Sequence, residues 1–259
     1  MLPLLLGFAL FTGCADDEAT PGDAAGDPGH ATMSIEDHCT SGIPDSADAT
    51  LVELGDGDLV LVGAEFGAES SDGTVMVLLH QTGTSGLCGW GKFATEAAVA
   101  GLPSLAVDMC GYGGSQCVDG EATAPADQVD VAATYAREEM GAERVVLVGA
   151  SMGGSQTVIA VAAGAEVDGW ADVSGPDIWE GTTLADLAPE VQARGLPGLV
   201  AHAADDDPAW YAAARALAAA TGATFLDGDS GHGYDLLSNT LGDLRPDGQQ
   251  VVDFVKSVS

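Results

Sequence analysis

The sequence predicts an α/β domain with a doubly wound, mostly parallel sheet of about eight strands. Short runs rich in Val and Leu recur along the chain, and the later runs alternate with segments of helical periodicity. Such alternation is typical of a parallel sheet covered by helices on both faces. The chain has 259 residues, of which 46% are apolar, so it can fill the core of one domain of this size.

The first two predicted strands, residues 51–54 and 59–66, are separated by a Gly-Asp-Gly-Asp turn and should pair antiparallel at the opening edge of the sheet. Further strands are predicted at residues 75–79, 105–107, 145–148, 170–173, 199–201 and 224–226. Helices are predicted at residues 90–100, 125–140, 152–163, 184–193, 209–221 and 246–258, several of which begin at or near proline. Little chain remains between residues 173 and 199, so we expect a minimal lid or none.

The N-terminal apolar run, residues 2–11, has the length of a signal-peptide core and is too short to span a bilayer. Small residues just before Cys14 resemble the lipobox of bacterial lipoproteins. The resemblance implies that residues 1–13 are a signal peptide, that Cys14 is lipidated, and that the protein is exported to the cell envelope on a membrane anchor. The alternative is a buried N-terminal helix. Residues 14–48 are predicted to form an acidic, disordered tether before a domain over residues 49–259.

The chain is strongly acidic, with 40 Asp and Glu residues against 7 Lys and Arg residues and a formal net charge of -33. A nucleic-acid backbone would be repelled, so nucleic acid is excluded as a partner. The same charge disfavours anionic substrates at low ionic strength. We therefore predict a neutral or cationic small-molecule substrate.

Four cysteines remain after Cys14, and an even number fits an oxidising compartment. Cys110 and Cys117 flank a glycine-rich segment and could close a short loop. Cys39 would then be left to join residues 35–39 of the tether to Cys88. Other pairings and free thiols remain open, and the spacing matches no usual zinc site.

Residues 149–153 read Gly-Ala-Ser-Met-Gly, the G-x-S-x-G pattern that places a serine on a strained turn between a strand and a helix. Ser151 is therefore the candidate nucleophile. A serine hydroxyl needs an imidazole to take its proton and a carboxylate to orient that imidazole. His232 is the candidate base, because it alone of the five histidines lies in a late polar loop. The carboxylate should come from Asp205, Asp206 or Asp207, which follow a predicted strand.

Five segments together resemble the successive blocks of the α/β-hydrolase family over residues 58–258: LLHQTGTSGLCGW, DMCGYGGSQ, GASMGG, AADDDP and GHGYDLL. The resemblance implies the α/β-hydrolase fold. It selects Asp206 as the acid, because the family's acid lies three residues after the position held here by Ala203. Asp205 is the alternative.

The same resemblance implies an oxyanion hole formed by the backbone N–H groups of Met152 and Thr82. Gln81, which stands where the family usually has glycine, is the alternative to Thr82. The implied protein is a serine hydrolase that cleaves carboxylic esters or thioesters through an acyl-enzyme on Ser151, without cofactor or metal. Dienelactone hydrolases share the fold but generally use cysteine as the nucleophile. The alternatives are a peptidase or amidase on the same residues, and a non-catalytic surface-binding lipoprotein with this fold.

Overall fold

The computed structural model describes residues 34–67, 73–118 and 124–258. Its strands, in chain order, are β1 (Ala49–Asp56), β2 (Leu59–Phe66), β3 (Thr74–Leu79), β4 (Ser104–Asp108), β5 (Gln116–Cys117), β6 (Arg144–Ala150), β7 (Gly169–Val173), β8 (Ile178–Trp179), β9 (Thr182–Thr183), β10 (Gly198–Ala203) and β11 (Thr224–Gly228). Nine of them form the central sheet, in the order β1-β2-β4-β3-β6-β7-β10-β11 with β5 beside β2.

The sheet is mostly parallel. Strand β1 pairs antiparallel with β2, and β2 pairs antiparallel with β4, whereas β3, β4, β6, β7, β10 and β11 run parallel to one another. Every residue of β3 and β4 is buried, which explains why the central strands are continuous apolar runs rather than alternating ones. The predicted doubly wound, mostly parallel sheet is therefore confirmed.

Eight α-helices lie within the described residues: α1 (Ile35–His38), α2 (Gly91–Val99), α3 (Pro125–Glu138), α4 (Met152–Ala163), α5 (Ala188–Arg194), α6 (Pro208–Thr221), α7 (Tyr234–Leu237) and α8 (Pro246–Ser257). Two 3₁₀ helices, Gly86–Trp90 and Leu184–Leu187, precede α2 and α5. Proline occupies one of the first two positions of α3, α5, α6 and α8, where its missing N–H costs nothing. In the described part of the chain, no helix has the length and apolarity needed to cross a bilayer.

The core forms one apolar layer on each face of the sheet. Successive strand residues point to opposite faces, so Met76 and Leu78 enter one layer while Val75, Val77 and Leu79 enter the other. The first layer is covered by α2 and α8, and the second by α3, α4, α5 and α6. This arrangement leaves the loops after the parallel strands together at one edge, where sites in such sheets form.

Residues 34–48, which the sequence assigns to the disordered tether, are ordered against the domain. Helix α1 buries Ile35, and Cys39 forms a disulfide with Cys88. The cross-link and the buried side chain offset the entropy cost of ordering this polar segment. A second disulfide joins Cys110 to Cys117, so both pairings favoured by the sequence are present. The predicted signal peptide, the remaining tether and the lipidation site at Cys14 lie outside the described residues.

Candidate active site

Ser151 lies on the sharp turn that joins β6 to α4. Its φ of 51° and ψ of -114° fall where a non-glycine residue is strained. The Ser151 N–H donates to the carbonyl of Val173 at 2.8 Å, which ties the turn to the neighbouring strand. A Cβ on Gly149 would clash with the backbone of Gly153, and a Cβ on Gly153 would clash with the backbone of Leu79. Both glycines of the motif are thus required by close backbone packing.

A carboxylate and an imidazole meet beyond the ends of β10 and β11. Nδ1 of His232 lies 2.5 Å from Oδ2 of Asp206, and the two side chains are 33% and 15% exposed. A carboxylate partner requires the proton on Nδ1, which leaves Nε2 of His232 as the acceptor nitrogen. The pair therefore has the arrangement of a general base held by an acid.

The three adjacent aspartates have three different partners. Asp206 binds His232, whereas Oδ1 of Asp205 accepts a 3.3 Å hydrogen bond from the N–H of Gly231. Oδ1 of Asp207 accepts from the N–H groups of the first turn of α6, at 2.7 and 3.1 Å, and caps that helix. Of the two acids left open by the sequence, Asp206 is the one that contacts the imidazole.

The loop that carries His232 passes beside the nucleophile turn. A Cβ built on Gly233 would lie 3.7 Å from the Cβ of Ala150, so the neighbours of His232 and Ser151 are in contact range. Among the described residues, no hydrogen bond joins Ser151 Oγ to the His232 ring. In unliganded hydrolases the hydrogen bond between nucleophile and base is often long and shortens only when substrate binds.

A second histidine lies behind Asp206. Nε2 of the fully buried His202 is 3.8 Å from Oδ2 of Asp206, and its Nδ1 is 3.3 Å from the carbonyl oxygen of Ala203. Burial lowers the pKa of His202, so the ring is neutral at ordinary pH. The carboxylate of Asp206 is therefore bracketed by two imidazoles, only one of which the sequence identifies as functional.

The loop after β3, residues 81–86, is called here the oxyanion loop. The Gln81 N–H donates to the hydroxyl of Tyr234 at 2.9 Å and is not free for a substrate. In the described chain the Thr82 N–H has no hydrogen-bond acceptor. The N–H of Met152, the first residue of α4, has no intrahelical acceptor. The geometry thus favours Thr82 over Gln81 as the second donor beside Met152.

His80 determines the direction of the Thr82 N–H. Nε2 of His80 accepts from the N–H of Met109 at 3.1 Å, so the ring proton is on Nδ1, which donates to the carbonyl of Gln81 at 2.8 Å. That carbonyl and the Thr82 N–H belong to one trans peptide and point in opposite directions. Burial lowers the pKa of His80, which keeps the ring neutral and this pattern intact.

A buried carboxylate anchors the chain that follows the oxyanion loop. Oδ1 of Asp108 accepts from the Leu87 N–H at 2.7 Å, and Oδ2 lies 2.8 Å from Nε2 of His38. The disulfide to Cys39 holds Cys88 next to this point. The His38, Cys39 and Cys88 donor atoms lie within 4.8 Å of one another, but the disulfide occupies both sulfurs, so these residues do not form a metal site.

An open groove of about 580 Å³ begins at the oxyanion loop. Residues 83–86 and 111–114 line it together with Asp37 and His38 of the N-terminal segment, whereas Ser151 and His232 are not among its lining residues. No Lys or Arg lines it within the described chain. The described lining thus offers no Lys or Arg to pair with an anion.

Sequence reasoning missed three side chains at this edge. They are His202, Tyr234 and Trp210, whose ring centroid lies 6.1 Å from that of His232. His202 and Trp210 lie four residues before and after Asp206, and Tyr234 lies two residues after His232. Closeness in sequence to Asp206 or His232 was therefore the one signal that could have identified these residues. Only the coordinates show which sequence neighbours place their side chains near the site.

No protein-family model and no curated protein sequence matches this chain. Solved structures do match it. A proposed dienelactone hydrolase from Klebsiella pneumoniae aligns with a TM-score of 0.62 and 15% identity, over 82% of this chain and 100% of that chain. An esterase from Pyrococcus furiosus aligns with a TM-score of 0.59 and 13% identity, over 82% and 90%.

A thioesterase domain from the curacin biosynthetic pathway aligns with a TM-score of 0.56 and 12% identity, over 82% of this chain and 100% of that domain. Identities this low carry information about architecture rather than chemistry. The strand order, the strained turn after β6 and these neighbours agree with one another. This protein therefore has the α/β-hydrolase fold.

Proposed function

We propose that the protein is a serine hydrolase that cleaves carboxylic esters or thioesters through an acyl-enzyme on Ser151. One observation carries the proposal: the hydrogen-bonded pair of His232 and Asp206 lies at the same sheet edge as a strained, nearly buried serine. The esterase and thioesterase among the structural neighbours agree with this reaction class.

The proposed reaction has two steps. Nε2 of His232 takes the proton of Ser151 Oγ as that oxygen attacks the acyl carbonyl, and Asp206 stabilises the imidazolium that forms. The N–H groups of Met152 and Thr82 hold the developing oxyanion. His232 then gives the proton to the leaving alcohol or thiol. A water molecule deprotonated by the same nitrogen hydrolyses the acyl-enzyme and restores the serine.

The proposed substrate is a small neutral or cationic ester. The net charge of -33 and a groove without Lys or Arg in its described lining both oppose binding of an anion. We further propose that the protein is exported and attached to a membrane through Cys14. The two disulfides support an oxidising compartment, because such bonds rarely persist where thiols are kept reduced.

A fluorophosphonate probe together with a panel of neutral, cationic and anionic esters tests the proposal on the full chain. We expect Ser151→Ala to lose labelling and to lower kcat/KM by about 10⁴-fold or more, since the nucleophile is removed. Ser155→Ala is the matched control, because its hydroxyl donates only to the carbonyl of Pro176 and should leave both readouts nearly unchanged.

Each outcome separates the candidate functions. Labelling of Ser151 with faster turnover of anilides than of matching esters would replace the esterase proposal with an amidase. A folded wild-type protein that neither labels nor turns over any ester would contradict hydrolase function and leave a binding protein with this fold.

A further inference from the structure

We infer that Tyr234 is a positioning residue that fastens the oxyanion loop to the loop of the catalytic base, and this inference rests on the proposed function. The Tyr234 hydroxyl accepts from the N–H of Gln81 at 2.9 Å and donates to the carbonyl of Gly86 at 3.3 Å. These two groups lie at the two ends of the oxyanion loop. A single hydroxyl therefore uses both its donor and its acceptor capacity to close that loop.

The phenol ring is itself firmly held. It packs edge-on against Trp90, with ring centroids 5.0 Å apart and planes at 68°. Gly89 leaves the space that the ring occupies, because a Cβ on that residue would clash with the ring. Burial raises the pKa of Tyr234, so the hydroxyl keeps its proton throughout the neutral range. The hydroxyl is thus a fixed point rather than a mobile surface group.

Tyr234 also lies very close to the base. It begins α7 and follows His232 by two residues, and the intervening Gly233 has a φ of 55° and a ψ of -120°. That backbone conformation favours glycine. A Cβ on Gly233 would also clash with the side-chain carbonyl oxygen of Gln81. The chain around the base and the first residue of the oxyanion loop are therefore in direct contact.

The consequence for catalysis lies in the peptide between Gln81 and Thr82. His80 holds the carbonyl of that peptide, while Tyr234 holds the preceding N–H, so Gln81 is fixed from both sides. Loss of the hydroxyl would leave the Gln81 N–H and the Gly86 carbonyl without this partner. The loop would then relax, and the Thr82 N–H would lose its direction. Because an oxyanion donor acts mainly in the transition state, kcat should fall more than KM changes.

Tyr234→Phe is the test variant, because it removes only the hydroxyl and keeps the ring against Trp90. Tyr135→Phe is the matched control, since its hydroxyl bonds to Glu65 at 2.6 Å, away from the site. Removing an oxyanion donor outright costs about 10²- to 10³-fold in kcat, so misdirecting one should cost about 10- to 100-fold. We expect that loss for Tyr234→Phe on a neutral ester with KM within about twofold, and no loss for Tyr135→Phe.

Amide hydrogen exchange at Gln81, measured by NMR on the full chain, gives a readout that needs no activity. Faster exchange in Tyr234→Phe than in wild type, with the same cooperative unfolding, is expected. Unchanged exchange, unchanged kcat, or a rise in KM alone would each overturn the inference while labelling of Ser151 still upheld the proposed function. If the wild type were inactive, the proposed function would fail, and so would the catalytic role of Tyr234.

Discussion

The two groups of loops on either side of Ser151 differ in that disulfides hold one of them in addition to hydrogen bonds. On the base side, after β10 and β11, hydrogen bonds join His232 to Asp206 and Gly231 to Asp205. On the oxyanion side, after β3 and β4, two disulfides and the buried carboxylate of Asp108 hold the chain. In the proposed reaction the base must rotate and exchange a proton, whereas the oxyanion donors act by being fixed before the reaction. The stronger constraints therefore lie on the side that should not move.

Among changes on the two sides of Ser151, the largest effect is expected on the base side, from Asp206→Asn. The amide can donate an N–H to Nδ1 of His232 where the carboxylate accepted a hydrogen bond from it. This favours the wrong tautomer of His232, so kcat/KM should fall about 10³- to 10⁴-fold. Asp205→Asn is the matched change one residue earlier. Among the described residues, the Asp205 carboxylate accepts one hydrogen bond, at 3.3 Å from the Gly231 N–H. We expect it to stay within about threefold of wild type, because a hydrogen bond this long contributes little. Comparable losses in the two variants, measured on one neutral ester, would contradict the assignment of the acid.

The second effect is expected on the oxyanion side, when the disulfides are removed in pairs. Cys39 and Cys88 are 49 residues apart, whereas Cys110 and Cys117 are 7 apart. The chain-entropy relation predicts that the disulfide contributes about 4 kcal/mol to the free energy of unfolding for the longer loop and about 2 kcal/mol for the shorter one. Urea unfolding of two double variants measures both contributions: Cys39→Ser/Cys88→Ser for the longer loop and Cys110→Ser/Cys117→Ser for the shorter one.

The two pairs should also differ in activity. Cys88 lies just beyond the oxyanion loop, so the first double variant should lose more kcat than the second at a temperature where both remain folded. A larger stabilisation by the Cys110–Cys117 disulfide would contradict the chain-entropy prediction. An unchanged kcat after loss of the Cys39–Cys88 disulfide would contradict a role of that bond in catalysis.

Most of the architecture could be predicted because buried parallel strands and long helices leave strong patterns. The helix predicted at residues 125–140 is Pro125–Glu138, and the strand predicted at 145–148 lies within Arg144–Ala150. Strands β5, β8 and β9 and helix α7 have only two to four residues, which is too short for any periodicity to appear. The N-terminal segment was harder still, because a disulfide rather than its own composition orders it.

The residues of the candidate site also differ in how well the sequence predicts them. Ser151 and His232 stand out in sequence because their glycine-rich surroundings are distinctive. Asp206 could not be separated from Asp205 by the residues alone, since three adjacent carboxylates are chemically identical and differ only in direction. The hydrogen bond from Gln81 to Tyr234 joins residues that are 153 positions apart, so no local sequence pattern could predict it.

The two sides share one feature, a buried neutral histidine, and it gives the smallest predicted effect. Burial lowers the pKa of His80 and of His202 below the ordinary value of about 6.5. As the pH falls through this value, the unfolded chain takes up protons that the folded protein does not, so the free energy of unfolding decreases. Asp172 acts in the opposite direction, because burial raises its pKa to about 7. In the same range the folded protein keeps a proton that unfolded Asp172 has lost.

Urea unfolding between about pH 5.5 and 6.5 should therefore distinguish these groups. His202→Gln removes one proton-linked loss, so stability should decline less steeply on acidification. Asp172→Asn removes the opposing contribution and should make the decline steeper, while its amide oxygen can still accept from the Gly175 N–H. Each change in slope is at most about 1.4 kcal/mol per pH unit. The free energy of unfolding could instead show the same pH dependence in wild type and both variants. That result would mean that neither His202 nor Asp172 changes its pKa on folding, and it would contradict the statement that burial keeps the His202 ring neutral.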